Sequence, residues 1–315
     1  MTPPIRLRAV LAGPARDNGF YESGFRGAET ACAAAGLQFA LQERVGVHVD
    51  ALAQAAREAA RHAPQMVLVH GGSSDEAVRL VAADFPKVQF LSTHGNLAGP
   101  NFSCVNIRQP QSAFLAGALA ALLTRTGVVG HLSGIRIHPG LLARAAWAQG
   151  AAYANPEVRI ISCFCGTQDD STMSYHHAQK LIAEGVDVLY TMLNFGRAGA
   201  IDACREQKIW QIGNVIDWCA VHPDVFIGSA IANNGELVRQ WIGDVVAGRV
   251  AQGEVRWLGM EDPRAVRLVM ADGVPVAVRD RIEEVAGTLM RGEIALDAAF
   301  EGQELPADAF AAPKD

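Results

Sequence analysis

Short apolar runs with strand character alternate with amphipathic stretches of about 10–15 residues along this chain, and no other feature limits its fold as strongly. Residues 5–12 read as a strand, 24–35 as a helix, 37–42 as a strand and 49–62 as an alanine-rich helix. The unit then repeats, with a buried strand over 66–70, a glycine-serine turn, a helix over 75–84 that begins with acid, and a strand over 88–93. Helices at 111–124, 141–153, 171–184 and 199–206 alternate with strands at 128–132, 158–164, 186–190 and 209–213. Such alternation predicts an α/β protein whose mostly parallel sheets are flanked by helices on both faces.

One sheet would have to hold about nine strands, so two sheets of ordinary size are the more economical arrangement. A chain of 315 residues with 50% apolar content can supply both cores. The break is expected after Thr124-Arg125-Thr126-Gly127. A helix over 235–247, strands over 255–258 and 266–270, and a helix over 278–290 are expected to return to the first lobe. The predicted organisation is therefore 1–124 plus about 233–315 for one lobe and 125–232 for the other.

Twenty-seven Lys and Arg against 33 Asp and Glu give a formal charge of -6, with no basic block, which argues against nucleic acid as a partner. No apolar run reaches the roughly 18 residues that span a bilayer, so no membrane insertion is expected. The first residues run directly into a strand, leaving no room for a cleavable leader, and the expected location is cytoplasmic. A periplasmic protein whose leader was replaced by Met1 reads the same way. Six cysteines lack zinc-site spacing and read mostly as small core residues. Asp169, Asp170, His176, His177 and Cys165 fit no established metal pattern, and no cofactor or metal is expected.

Ligands of open parallel sheets bind beyond the carboxyl ends of the strands, which singles out the turns at 17–21, 70–74, 93–96, 166–170, 192–195 and 214–218. At the first, Phe20 and Tyr21 stand where a helix start leaves N–H groups unpaired, a combination that holds a flat organic molecule. Phe20 has a second reading as the staple of the following helix, and Asp17 as a turn acid bonded to its own backbone. Ser73 and Ser74 read as N-caps whose neighbouring N–H groups can also meet a ligand, while His70 or His94 can supply a ring nitrogen. Asn194 and Phe195 offer an amide and a ring after a buried strand. Asp217 and Trp218 read either as ligand contacts or as a turn cap and a core tryptophan.

Several ordered segments carry a resemblance. Arg16-Asp17-Asn18-Gly19-Phe20-Tyr21 is similar to an Asp-x-Gly-Phe-Asn opening, and Phe85-Pro86-Lys87-Val88-Gln89-Phe90 to a Tyr-Pro-Asp-Val-x-Phe strand entry. The run from Phe114-Leu115-Ala116-Gly117 through Thr124-Arg125-Thr126-Gly127 to Gly130 resembles Tyr-Leu-Ala-Gly-x-Ala-Ala-x-x-Thr-Lys-Thr-Gly-x-x-Gly. Gly150-Ala151 with Asn155-Pro156, and Gly185-Val186-Asp187-Val188, match two further segments. Together they resemble the basic membrane protein family, the substrate-binding proteins of nucleoside-type ABC importers, over roughly residues 6–290.

The resemblance implies a two-lobed type I periplasmic-binding-protein-like fold with the ligand in the interlobe cleft and capture by hinge closure. It also implies a purine-like small-molecule ligand and, for an exported protein, an ABC transporter permease as partner. Family members hold the ribose with carboxylates and a lysine. Here Tyr21 replaces the motif's asparagine, His94 an aspartate and Val215 the first of two acids, Asp217 is kept, and residues 230–233 contain no lysine. Valine accepts no hydroxyl, so the expected ligand is a free purine base or similar heterocycle bound by Asp17, Phe20, Tyr21, Ser73, His94, Asn194, Phe195, Asp217 and Trp218. The alternatives are a cytoplasmic small-molecule sensor and a nucleoside-processing enzyme. No serine elbow, Walker loop, zinc helix or dinucleotide fingerprint supports an enzyme.

Overall fold

The computed structural model describes residues 6–249 and 253–306, which divide into two compact units. The first comprises residues up to Ile107 together with Asn233–Leu258. Its strands are β1 (Arg6–Leu11), β2 (Gln38–Gln42), β3 (Met66–His70), β4 (Gln89–Thr93), β5 (Phe102–Ile107) and β11 (Val255–Leu258). They form one sheet in the order β11-β5-β4-β3-β1-β2, every pair parallel. Helices α2 (Val49–Arg61) and α3 (Ser74–Arg79) cover one face through alanine, valine and leucine side chains. Helix α1 (Phe20–Ala34) packs against α9 (Asn234–Val246), and Gly27 and Gly235 allow their backbones to approach.

The second unit holds β6 (Val128–Ser133), β7 (Arg159–Phe164), β8 (Val188–Met192), β9 (Trp210–Val215), β10 (Phe226–Ala232), β12 (Val266–Met270) and β13 (Gln303–Glu304). Their order is β12-β10-β9-β8-β6-β7-β13, and only β12 runs antiparallel to its neighbour. Helices α4 (Gln109–Leu123) and α5 (His138–Ala154) cover one face, with α10 (Val276–Met290) beside α4. Helices α6 (Ser171–Ala183) and α7 (Arg197–Gln207) cover the other, and α8 (Trp218–Val221) is a single turn.

Within the sheets, β2-β1-β3-β4-β5 and β7-β6-β8-β9-β10 repeat the same winding order. Each unit therefore has a switch point beside its first strand, between β1 and β3 and between β6 and β8, the places where such sheets accept ligands.

The unit boundary differs from the sequence expectation. It falls between Ile107 and Arg108, not after Thr124, and the chain from Gly259 onward joins the second unit, not the first. The reason is packing. Helix α4 is apolar on every side and is buried against α5, with Leu119 against Gly228 of β10. The tail follows it, because β12 pairs with β10 while Ile282, Val285 and Leu289 of α10 enter the cores around α4. Only α9 and β11 return to the first unit. Strand β5, buried along its whole length, was not anticipated from the sequence.

Among the described residues no helix is long and apolar enough to cross a membrane, and no group of three His, Cys, Asp or Glu side chains gathers as a metal site. The six cysteines are free.

Candidate functional site

Left-handed backbone residues gather where the sheets end. Asn18 follows β1, Gly71 and Ser73 follow β3, His94 follows β4, Gly166 follows β7, and Val215 closes β9 with φ 72°. A β-branched residue in that region is strained, and strain of this kind concentrates at functional turns. Five of the six turns singled out from the sequence contain such a residue.

In the first unit Asp17 is fully buried. Its Oδ1 accepts from the Gly19 and Glu22 N–H groups at 3.0 and 2.9 Å, and its Oδ2 from Tyr21 N–H at 3.1 Å. Glu22 reaches back to accept from Asn18 N–H at 3.1 Å. This reciprocal cap satisfies the Tyr21 and Glu22 donors in the first turn of α1. Burial pushes the Asp17 carboxyl above the ordinary carboxylate range, against the pull of the backbone N–H groups it accepts from. Its carboxylate is thus committed to the turn, and its contribution to a site is to shape the Phe20 corner. Asp17→Ala is expected to destabilise the first unit by about 1–3 kcal/mol, read from urea unfolding, because buried donors lose their acceptor.

Phe20, the first residue of α1, is half-buried. Its ring stacks on His70 at 4.4 Å between centroids and 24° between planes, and meets His94 edge-on at 4.9 Å. Tyr21 lies edge-on to Phe20 at 5.1 Å, and its ring covers the backbone of Gly13, where a Cβ would collide with it. His94 is held by Asn234, with Nε2 2.7 Å from Oδ1, and burial lowers its pKa, favouring the neutral ring. The fold thus unites Phe20, Tyr21 and His94 at the ends of β1, β3 and β4, around a histidine at position 70 that is itself fully buried.

Ser73 is exposed on the neighbouring turn and makes no side-chain cap. Ser74 makes none either, and its hydroxyl instead donates to Thr93 O at 2.8 Å and accepts from Thr93 N–H at 3.1 Å, tying the turn to β4. Both serines therefore depart from the predicted capping role.

In the second unit the turns after β7 and β8 are joined, since Asn194 and Gly196 both donate to Gln168 O at 3.0 Å. Phe195 keeps an exposed ring, and Asn194 is half-buried. Asp217 caps α8, accepting from Cys219 N–H at 3.0 Å and Ala220 N–H at 3.3 Å. Trp218 is a core residue here, only 5% exposed. Its indole N–H donates to Asn214 O at 3.0 Å, the Arg197 guanidinium lies 4.5 Å from its ring, and Phe226 stacks at 5.6 Å. With its ring packed between these groups, Trp218 corrects the expectation of a ligand-stacking surface there.

Arg197 is the organising side chain of these turns and is 1% exposed. It donates to Thr191 Oγ1 at 2.7 Å, Thr191 O at 3.2 Å, and both Leu193 O and Asn214 Oδ1 at 2.5 Å, linking the ends of β8 and β9. Arg197 and Thr93 both lie in segments that the sequence points to, 194–197 and 93–96, but neither side chain was given a role there. The sequence signal for each was only its place in a strand-end segment.

The chain is similar to proteins of known family. A family model described as ABC transporter substrate-binding protein PnrA-like matches residues 6–286. The chain belongs to this family. Basic membrane protein B of Borreliella burgdorferi is 25% identical over 221 residues, covering 68% of this chain and 62% of that protein. A purine-binding protein of Brucella abortus is 23% identical over 223 residues, covering 71% of this chain and 62% of its own length. The aligned chain thus spans less than two thirds of these curated relatives. Among solved structures, an ABC transporter solute-binding protein of Aeropyrum pernix superposes with a TM-score of 0.82 at 19% identity, covering 95% of this chain and 94% of the other. A transcriptional activator of Bacillus halodurans gives 0.79 at 20% identity, covering 92% and 99%. At these identities the likeness is one of fold, the two-sheet architecture of periplasmic binding proteins.

Proposed function

We propose that this member of a substrate-binding family captures a flat, uncharged heterocycle, a purine base, without chemically changing it. The observation that carries the reading is the Phe20 ring, half-exposed at a switch point and stacked on a neutral histidine ring. Stacking surfaces of this kind suit planar ligands. The groups that grip a sugar in the family are replaced by His94 and Val215, and residues 230–233 supply no lysine. The Brucella relative, a purine-binding protein, supports the same ligand class. On this reading Phe195, exposed at the turn after β8 in the second unit, is a further candidate ring, the two units close on the ligand by a hinge, and the protein partner is an importer permease.

Calorimetric titration with adenine, guanine, hypoxanthine, xanthine and urate beside the corresponding nucleosides tests the proposal. Bases are expected to bind more tightly, and tighter binding of nucleosides would overturn it. Phe20→Ala is expected to weaken binding of the preferred base by about 1–3 kcal/mol, the value of a buried aromatic contact. An unchanged dissociation constant removes Phe20 from the site.

A second reading, ligand sensing through a protein partner, is favoured by one relative. A transcriptional activator of Bacillus subtilis is 24% identical over 164 residues, covering 52% of this chain and 51% of that protein. Co-purification with a permease, as opposed to a regulatory protein, separates the two.

A further inference from the structure

The hydrogen bonds around His70 determine which of its nitrogens carries the proton. Nε2 lies 3.1 Å from the Phe20 carbonyl oxygen, which only accepts, so Nε2 is the protonated nitrogen. Nδ1 then presents a lone pair 2.8 Å from Thr93 Oγ1, whose hydroxyl donates to it. That same Oγ1 accepts from Gly71 N–H at 3.3 Å, which completes its bonding. The imidazole also rests against α1 where Gly24 lacks a side chain; a Cβ there would come 2.5 Å from Nε2. His70 therefore grips Phe20 twice, by its carbonyl and, at 4.4 Å, by its ring.

We propose that His70 is the positioning residue of the aromatic corner, holding Phe20 in the orientation that receives a planar base, and that Thr93 fixes the tautomer that makes this possible. The proposal rests on the reading of that corner as the ligand site. His70 makes no demand on the ligand itself, because both nitrogens are already committed and the ring is wholly buried. Burial pushes its pKa down to about 3, so the grip is unchanged across the neutral range.

Two substitutions of Thr93 test this without removing the imidazole. Thr93→Val keeps the volume and loses the hydroxyl, whereas Thr93→Ser keeps the hydroxyl. With adenine and hypoxanthine as probes, Thr93→Val is expected to bind about tenfold more weakly and Thr93→Ser to recover wild-type affinity to within about twofold. In the ligand-free protein, ring nitrogen shifts are expected to report the neutral Nε2–H tautomer, and Phe20 ring resonances are expected to move in Thr93→Val but not in Thr93→Ser. Wild-type affinity in Thr93→Val, an Nδ1–H tautomer in the wild type, or unmoved Phe20 resonances would each overturn the proposal. A wild-type protein that binds no base defeats the ligand assignment, while the nitrogen and Phe20 signals still decide whether His70 holds that ring.

Discussion

Arg197→Ala is expected to lower the stability of the second unit by about 3–5 kcal/mol, because it removes a buried cation from a set of buried acceptors. The guanidinium serves Thr191 O, Thr191 Oγ1, Leu193 O and Asn214 Oδ1 and lies beneath the Trp218 ring. Alanine takes the donor from Leu193 O and Asn214 Oδ1, while Thr191 Oγ1 keeps the Gln211 Nε2 donor at 2.7 Å, and it opens a cavity beside the indole. Arg197→Lys keeps the charge, but a single ammonium on a flexible stem cannot span the same acceptors, so most of the loss is expected to persist. Urea unfolding followed by tryptophan fluorescence reads both variants. A change below about 1 kcal/mol for the alanine variant would mean that solvent replaces the guanidinium at these turns.

Gly150→Val is expected to cost about 3 kcal/mol or more, at the upper end of overpacking penalties, since the obstacle is main chain. A Cβ at Gly150 would fall on the Phe114 carbonyl of α4, and one at Gly117 on the Trp147 carbonyl of α5. The two helices cross backbone to backbone, and no side-chain rotation can make room. Gly243, near the end of α9, provides the control, for nothing lies within 4 Å of a Cβ built there. Gly243→Ala is expected to stabilise by about 0.5–1 kcal/mol through the reduced freedom of the unfolded chain. Opposite signs in thermal unfolding check the account, and equal effects would contradict it.

The alternation of apolar runs and amphipathic segments made the two mostly parallel sheets legible, along with the strand-end turns that bear the candidate site. Strands β3, β11 and β12 have the bounds expected from the sequence. Strand β5 escaped notice because its six residues, Phe102–Ile107, include a serine and an asparagine, and polarity concealed a wholly buried run. The boundary was misplaced because Thr124-Arg125-Thr126-Gly127 has the composition of a linker. It is a helix-to-strand turn within the second unit, anchored by Asp187, which accepts from Arg125 N–H at 2.8 Å.

Site residues were read less fully, for a physical reason. Asp17 and Trp218 carry groups suited to ligands, and only three-dimensional partners show that one caps a helix while the other fills a core. The converse holds for Thr93, whose importance lies in the ring it orients. Sequence reports what a side chain can do, whereas its neighbours decide whether that capacity is already spent.

The chain passes between the two units at Ile107–Arg108, Ala232–Asn233 and Leu258–Gly259. Neither unit is therefore a contiguous stretch of message. During synthesis from the amino terminus, the first sheet waits for its edge strand β11 until β6 through β10 have been made, and the second waits longer still for β12. A ribosome paused after β10 would carry two unfinished sheets at once, each exposing a strand edge whose partner has not been translated. Translation speed across residues 233–270 thus sets how long those edges stay open to mispairing.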